Sequence, residues 1–495
     1  MKRIAIGFSS LLFSLGLISQ VPLTQIEGRL EVYLPKDTSS IHIGKGAGVN
    51  QDLSSDRSNV FVGSNTGRNN TTGQNNSFFG RSSGSSNTIG GFNSFFGRSS
   101  GLSNTTGGFN SFFGLSSGLS NTTGGFNSFF GANSGYSNTI GENNSFFGRS
   151  SGYSNTTGVS NSFFGLSSGY SNTTGFSNSF FGRSSGYSNT TGESNSFFGR
   201  SSGSSNTIGG FNSFFGRSSG FSNTTGESNS FFGRSSGFSN TTGESNSFFG
   251  RSSGSSNTIG GFNSFFGRSS GLSNTTGGFN SFFGRSSGNH NTTGSRNVYL
   301  GDSTAYRVNG DGNVMIGHFA GKYDETANTT ASVNNRLYIH NDATPSPLIY
   351  GEFDNRVIHI NGEMDIISNS LNLKDLGSGD NHGVIWSEDD NPAFGIIYDG
   401  EGSGGDNRLH IRDMISAQED LVTIKNDGNV GIGIDNPTVT LHIKDIMKLE
   451  PISTAPSCSS NNDKGRIYYD SNLDKVRACV GFSGGSRTHG WVNLH

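Results

Sequence analysis

A chain of 495 residues would ordinarily hold about three domains, but only 30% of this one is hydrophobic and 14% charged, both far below globular norms of about 45–50% and 25%. Its 77 glycines favour disorder, yet 42 phenylalanines are too many for a disordered linker, and a net charge of -3 gives no self-repulsion to swell the chain. That charge speaks against nucleic acid as a partner, and two cysteines exclude a disulfide-dense scaffold.

At the N-terminus, Met1-Lys2-Arg3 is a short basic head before an apolar stretch, Ile4 to Ser19, that stops at Gln20 and Pro22. The stretch is shorter than the ~20 residues of a membrane span. Residues 1–24 therefore read as an export signal, and no integral membrane domain is expected. No Cys follows the apolar run, which closes the bacterial lipoprotein route. Residues 25–43 are assigned to an N-terminal cap.

From Asn76 the string NSFFGRSSGSSNTIGGF recurs with a period of 17, in thirteen copies whose last begins at Asn280. Asn59-Val-Phe-Val-Gly63 and Asn297-Val-Tyr-Leu-Gly301 keep the register with relaxed residues, and Asn313-Val-Met-Ile-Gly317 is one residue short of it. A second string, Asn-Thr-(Thr/Ile)-Gly, runs in parallel from Asn70 to Asn291. Fixed-period self-similarity predicts a solenoid over 44–317, with drift at both ends as capping turns. Helix is excluded by the glycine density and the missing 3.6-residue period. Two short strands per coil are expected, Ser-Phe-Phe and Asn-Thr-Thr/Ile, in some sixteen coils stacked ~4.8 Å apart. The recurring Asn would form side-chain ladders.

Successive residues of a strand face opposite ways. In each Phe-Phe pair (Phe78/Phe79, Phe95/Phe96, Phe112/Phe113, Phe129/Phe130 and their equivalents) one ring enters the core and the other faces out. Thirteen outward rings at about 150 Å² each make roughly 2,000 Å², more than a soluble monomer leaves exposed and the size of an obligate interface. Self-association along the rod is expected. The alternative is a turn folded over the outer ring, but Gly, Ser and Asn turns offer little apolar area.

After Gly317 the pattern changes. Residues 318–450 carry β-like runs, among them Arg336-Leu-Tyr-Ile-His340, Arg356-Val-Ile-His-Ile360 and Arg408-Leu-His-Ile411, separated by Gly/Asp/Asn turns. Residues 451–495 form a small module containing Cys458 and Cys479, which in an exported protein most simply pair, for about 3 kcal/mol.

Candidate chemistry is sparse. The histidines of the strand-like runs (His340, His359, His410, His442) make no metal-ligand spacing and read as strand residues on a half-polar surface. Asp399-Gly-Glu-Gly-Ser-Gly-Gly-Asp406 places oxygens at alternate positions, as a Ca²⁺ loop does, but lacks the closing Glu of an EF-hand; a solvated turn is preferred. No nucleophile–base motif and no phosphate loop is present, so catalysis and cofactors are not expected. Arg follows Phe-Phe-Gly in ten of thirteen repeats, including Arg81, Arg98, Arg149, Arg183, Arg200 and Arg217. That stripe reads either as an anionic-ligand site for glycans or as a solubility stripe, the latter preferred, with Glu142, Glu193, Glu227 and Glu244 offsetting part of its charge. The position after Ser-Ser-Gly (Leu102, Tyr136, Tyr153, Phe221, Asn289) varies as an exposed column would.

The repeat N-S-F-F-G-x-x-S-G-x-x-N-T-T-G resembles that of secreted bacterial and phage-type tail-fibre-domain proteins. It is also similar, in longer form, to the repeats of YadA-like trimeric adhesin heads, which are left-handed parallel β-rolls. Pro347-Leu-Ile-Tyr-Gly-Glu-Phe-Asp-Asn355 and Asp427-Gly-Asn-Val-Gly-Ile-Gly-Ile-Asp-Asn-Pro437 resemble fibre-shaft motifs of the same group. Gly465-Arg-Ile-Tyr-Tyr-Asp470 through Cys479 and Trp491 resembles a β-module that ends such chains. The resemblance implies a homotrimer, surface or secreted, that acts as a fibre or adhesin. Two departures are that neither a membrane-anchoring β-barrel segment nor a self-cleaving chaperone domain is visible, and the export signal argues against a virion part.

The expectation is thus an all-β chain: a parallel β-solenoid, a β-rich shaft and a small C-terminal β module. Its expected role is non-enzymatic attachment or matrix formation. Competing readings are an ice- or surface-binding solenoid built on its Thr ladder, a phage-derived fibre for host glycans, and an enzyme within 318–450. Ice binding suits the repeat poorly, because adjacent Thr face opposite ways and leave one outward column.

Overall fold

The computed structural model describes residues 37–321, 332–364, 382–388, 391–399, 407–413, 415, 420–445, 447–481 and 489–494. The expected export signal 1–24, most of the expected cap segment and residues 400–406 of the acidic loop lie outside them. The described chain is all β apart from one 3₁₀ turn, Asn461–Asp463. Among these residues no helix is long and apolar enough to cross a membrane. The chain divides into two compact units, Met1–Met364 and Asp365–His495.

The first unit is a parallel β-solenoid. Strands β1 (Ile41–Ile43) and β2 (Val60–Val62) lead into thirteen Ser-Phe-Phe strands, β3 (Ser77–Phe79) to β15 (Ser281–Phe283), then β16 (Val298–Leu300) and β17 (Val314–Ile316). Each pairs in parallel with the next at identical positions, Phe78 opposite Phe95 and Phe95 opposite Phe112. Alternation does the rest: the first Phe of each pair is fully buried and the second half-buried, except at the last pair, where Phe283 is exposed. The inner rings stack at 4.7–4.8 Å from Phe78 through Phe129, which is the inter-strand spacing of a sheet.

Each coil holds one strand, not two. The Asn-Thr-Thr string is a turn: in the coil starting at Asn93, the amides of Thr105, Thr106 and Gly107 all donate to the carbonyl of Thr122, at 2.9, 3.2 and 3.3 Å. Three consecutive donors on one oxygen cannot be a strand, where neighbouring amides point opposite ways. The buried polar groups are satisfied by repetition. Asn93 accepts at its Oδ1 from the next Asn backbone amide and donates from Nδ2 to the Gly107 carbonyl (2.9 Å), which also receives Asn104 Nδ2 (2.9 Å). Asn104 Nδ2 reaches Asn87 Oδ1 at 2.7 Å, and Ser100 Oγ donates to the Phe112 carbonyl at 3.0 Å. Half the core is therefore an aromatic stack and half a hydrogen-bonded Asn/Ser lattice. Gly101 (φ +58) is required because a Cβ there would stand 2.5 Å from the Phe95 ring. Ser99 and Phe109, at φ near +60, take the left-handed conformation with side chains in place.

The ladders end in different ways. At the N-terminal end His42 stacks on Phe61 with centroids 4.9 Å apart, and its Nε2 meets Gln51 Oε1 at 3.1 Å. Burial holds the imidazole below its ordinary pKa. A folded value depressed below the unfolded one means that this contribution is present above the usual histidine range and is lost as pH falls through the lowered value. Acidification is expected to fray β1 while the coils from Asn76 to Gly294 persist, read as early hydrogen exchange at Ile41–Ile43; a His42→Phe variant should abolish the effect.

At the other end, the sixteen-residue coil 297–312 carries Val308 where an Asn belongs, and Asn291 Oδ1 loses its partner. Asn309 compensates nearby: its Oδ1 accepts the amides of Thr292, Thr293 and Gly294 in place of the missing backbone carbonyl. Strand β18 (Arg336–Ile339) pairs in parallel with β17, and β19 (Ile349–Glu352) and β20 (Val357–Ile360) continue the same sheet antiparallel.

In the second unit, β21 (His382–Glu388), β22 (Asn391–Asp399), β23 (Arg408–Asp413), β24 (Asp420–Lys425) and β25 (Val430–Ile432) form an antiparallel meander, with β26 (Leu441–Ile443) parallel to β25. A further sheet contains β27 (Pro451–Ile452), β28 (Ile467–Asp470), β29 (Lys475–Gly481) and β30 (His489–Asn493). Cys458 and Cys479 are disulfide-bonded, tying β29 to the loop after β27.

Candidate interaction surface

Every outward position of the coil becomes a column along the rod. Phe79, Phe96, Phe113 and Phe130 begin the outer aromatic ladder, which runs unbroken to Phe283 with rings 4.6–4.9 Å apart over its first and last members. Stacking face to face hides each ring against its neighbours, so all of these side chains but the terminal Phe283 are half-buried within one chain. The area left to cover is well below the roughly 2,000 Å² expected for separate rings.

The Arg column, with Arg81, Arg98, Arg149, Arg183, Arg200 and Arg217 among its members, is exposed throughout. Arg285 ends it in an ion pair, its Nε donating to Asp302 Oδ1 of the following coil at 2.7 Å. Glu142, Glu193, Glu227 and Glu244 stand at the other end of the strand, on the residue two before the buried Asn, and form no ion pair with the Arg column within the described chain. The column after Ser-Ser-Gly is not freely exposed. Tyr136, Tyr153, Tyr170 and Tyr187 stack at 4.9–5.0 Å, burial raises the Tyr153 phenol above its ordinary pKa, and Asn289 is buried.

A second aromatic column escaped the sequence reading. Phe92, Phe109 and Phe126, and further on Phe211, Phe262 and Phe279, occupy the left-handed corner before the buried Asn and are 49–60% exposed. Beside them the outward Thr column is replaced by Ile89, Ile140, Ile208 and Ile259, each more than half exposed. The corner residues line a shallow groove, for instance Ile259, Gly261, Phe262 and Phe279. The signal in the sequence was Gly-Gly-Phe at the end of some repeats: wherever that corner is Phe, the preceding residue is Gly.

The threonine columns differ in availability. The first Thr of each pair spends its hydroxyl within the fold, as Thr105 Oγ1 does on the Thr122 carbonyl at 3.1 Å, and the second, such as Thr106, is exposed. Among the described residues no three His, Cys, Asp or Glu converge as a metal site. His410, expected on a half-polar surface, is buried in the second unit, its Nδ1 2.9 Å from Asp420 Oδ2, with Arg412 Nε on the same carboxylate at 2.6 Å. Those contacts bridge β23 and β24 and are structural.

By fold and surface, the first unit is a parallel β-solenoid presenting continuous columns of side chains. Compared with known protein families, curated proteins and solved structures, the chain matches none.

Proposed function

We propose that this protein is an exported, non-enzymatic fibre that associates with copies of itself, and that it serves attachment to surfaces or formation of a matrix. The observation that carries the reading is the outer Phe ladder: an unbroken apolar stripe on the free face of a sheet whose interior is already complete. A trimer is the assembly that the resemblance to adhesin heads implies. Anionic glycans are the partner class that the Arg column fits, wherever its guanidiniums stay outside the contact between copies. Sedimentation equilibrium of residues 25–495 tests the core of this reading. Three times the chain mass is expected, and a soluble single chain overturns it. Ice binding is less well supported, because only one of the two Thr columns keeps its hydroxyls free.

A further inference from the structure

Each strand of the solenoid is flanked by two edge columns. One precedes the buried Asn by one or two residues; the other is the residue after Phe-Phe-Gly. Taken strand by strand, wherever both edges carry a full charge the signs are opposite. All four glutamates of the first edge stand across the strand from arginines of the second: Glu142 with Arg149, Glu193 with Arg200, Glu227 with Arg234, Glu244 with Arg251. Three repeats lack the Arg, carrying Leu115, Ala132 or Leu166, and opposite these the first edge is Phe109, Phe126 or Val159, all exposed. At the coil beginning with Asn297 the signs invert together, Arg296 facing Asp302, although Asp302 also holds Arg285. In five repeats Phe faces Arg, at Phe92 and Arg98, Phe176 and Arg183, Phe211 and Arg217, Phe262 and Arg268, and Phe279 and Arg285; such pairs suit a cation–π contact.

None of these pairs meets within the chain. Glu193 and Arg200 stand at opposite ends of the strand Ser196–Phe198, with six residues between them. Matching between two edges that do not touch is explained if each edge meets the opposite edge of another copy. Rotation about an axis parallel to the rod does this, bringing the first edge of one copy to the second edge of the next at the same strand. An antiparallel face-to-face arrangement would instead set Arg column against Arg column.

We infer that the partner of this face is a second copy of the chain, lying parallel and in strand-for-strand register, its Arg/Leu edge against the Glu/Phe edge of the first. The stacked Phe79-type rings then lie at the centre of the contact and the charged edges at its rim, the usual anatomy of an interface. The inference rests on the self-association reading and adds its polarity, its register and the residues that choose them.

The test is charge reversal in the full chain. One variant carries Arg149→Glu, Arg200→Glu, Arg234→Glu and Arg251→Glu; another carries Glu142→Arg, Glu193→Arg, Glu227→Arg and Glu244→Arg; a third combines all eight. The Arg positions already accept Leu and Ala in other repeats, so folding should persist, and circular dichroism checks it. By sedimentation equilibrium, each four-site variant is expected to fall to the mass of one chain and the combined variant to regain the mass of the unsubstituted protein. An unsubstituted protein that is itself a single chain overturns self-association and this contact with it. An associated protein whose mass is unmoved by either four-site variant, or is not restored in a folded combined variant, overturns the edge pairing alone. Register is read separately: co-expressed chains carrying Glu193→Cys and Arg200→Cys should cross-link, and Glu193→Cys with Arg251→Cys should not. The reverse pattern overturns the register.

Discussion

Replacing Phe163 by alanine is expected to lower the stability of the solenoid by about 3–5 kcal/mol, the range for emptying a fully buried aromatic site. The ring is 0% exposed and lies 4.8 Å from both Phe146 and Phe180. Its neighbours cannot collapse into the gap, because both are fixed by the same strand register and by glycines packed against their edges. Coils touch only the coils before and after them, so stability sums over neighbour interfaces, and one defect weakens two adjacent ones. Urea unfolding followed by far-ultraviolet circular dichroism should show a lower midpoint or a split transition. Phe164→Ala, one residue on, removes a half-buried ring and should cost clearly less under conditions where the protein is a single chain. Equal losses for the two variants would refute the assignment of inner and outer ladders.

Deleting residues 161–177 as a block is expected to leave the fold intact, whereas deleting Ser177 alone is expected to abolish cooperative unfolding of the coils around it. The block removes one complete period. Asn178 then follows Ser160, and its amide finds Asn144 Oδ1 as it formerly found Asn161 Oδ1 at 3.0 Å. The rod shortens by ~4.8 Å, measurable by small-angle scattering. The single deletion has no such solution. Ser177 is a left-handed corner (φ +55) whose amide donates to Val159 O at 3.0 Å, and a one-residue slip turns the following Phe pair inside out. Coil 297–312 shows what absorbing a missing residue takes, an Asn309 side chain standing in for a backbone acceptor, and no such residue exists at Ser177. A tolerated single deletion would mean that register is set elsewhere than in the Asn and Phe ladders.

Much of this fold was legible in the sequence, because an exact period leaves few arrangements. The 17-residue interval fixes parallel stacking, Phe-Phe alternation fixes which ring is inside, and the recurring Asn fixes the polar ladder. The Asn-Thr-Thr string was misread as a strand because β-branched residues suit strands on propensity alone. Its conformation is decided by the Asn104 side chain drawn inward to the Gly107 carbonyl, a tertiary effect. Surface columns were harder still. The residue after Ser-Ser-Gly varies as exposed positions do, yet aromatic side chains there stack on themselves, and Tyr136, Tyr153 and Tyr170 are half-buried. Phe92 was overlooked because an aromatic residue at positive φ runs against its intrinsic preference. Glutamate and arginine were recognised as opposite charges, but only the coil geometry sets them at opposite edges of one strand.

The junction between Asn291 and Val308 matters mechanically. Pulled from its two ends, the solenoid carries load through its coils in series, so every inter-coil seam bears the same tension. Failure then begins where a seam has lost a bond that the others keep, and one of the two Asn ladders stops at Asn291, whose Oδ1 has no partner, while the other continues to Asn313. The repeats from Asn76 to Gly294 would stay wound while the coils beyond them peel away, which places the solenoid's fuse at its C-terminal end.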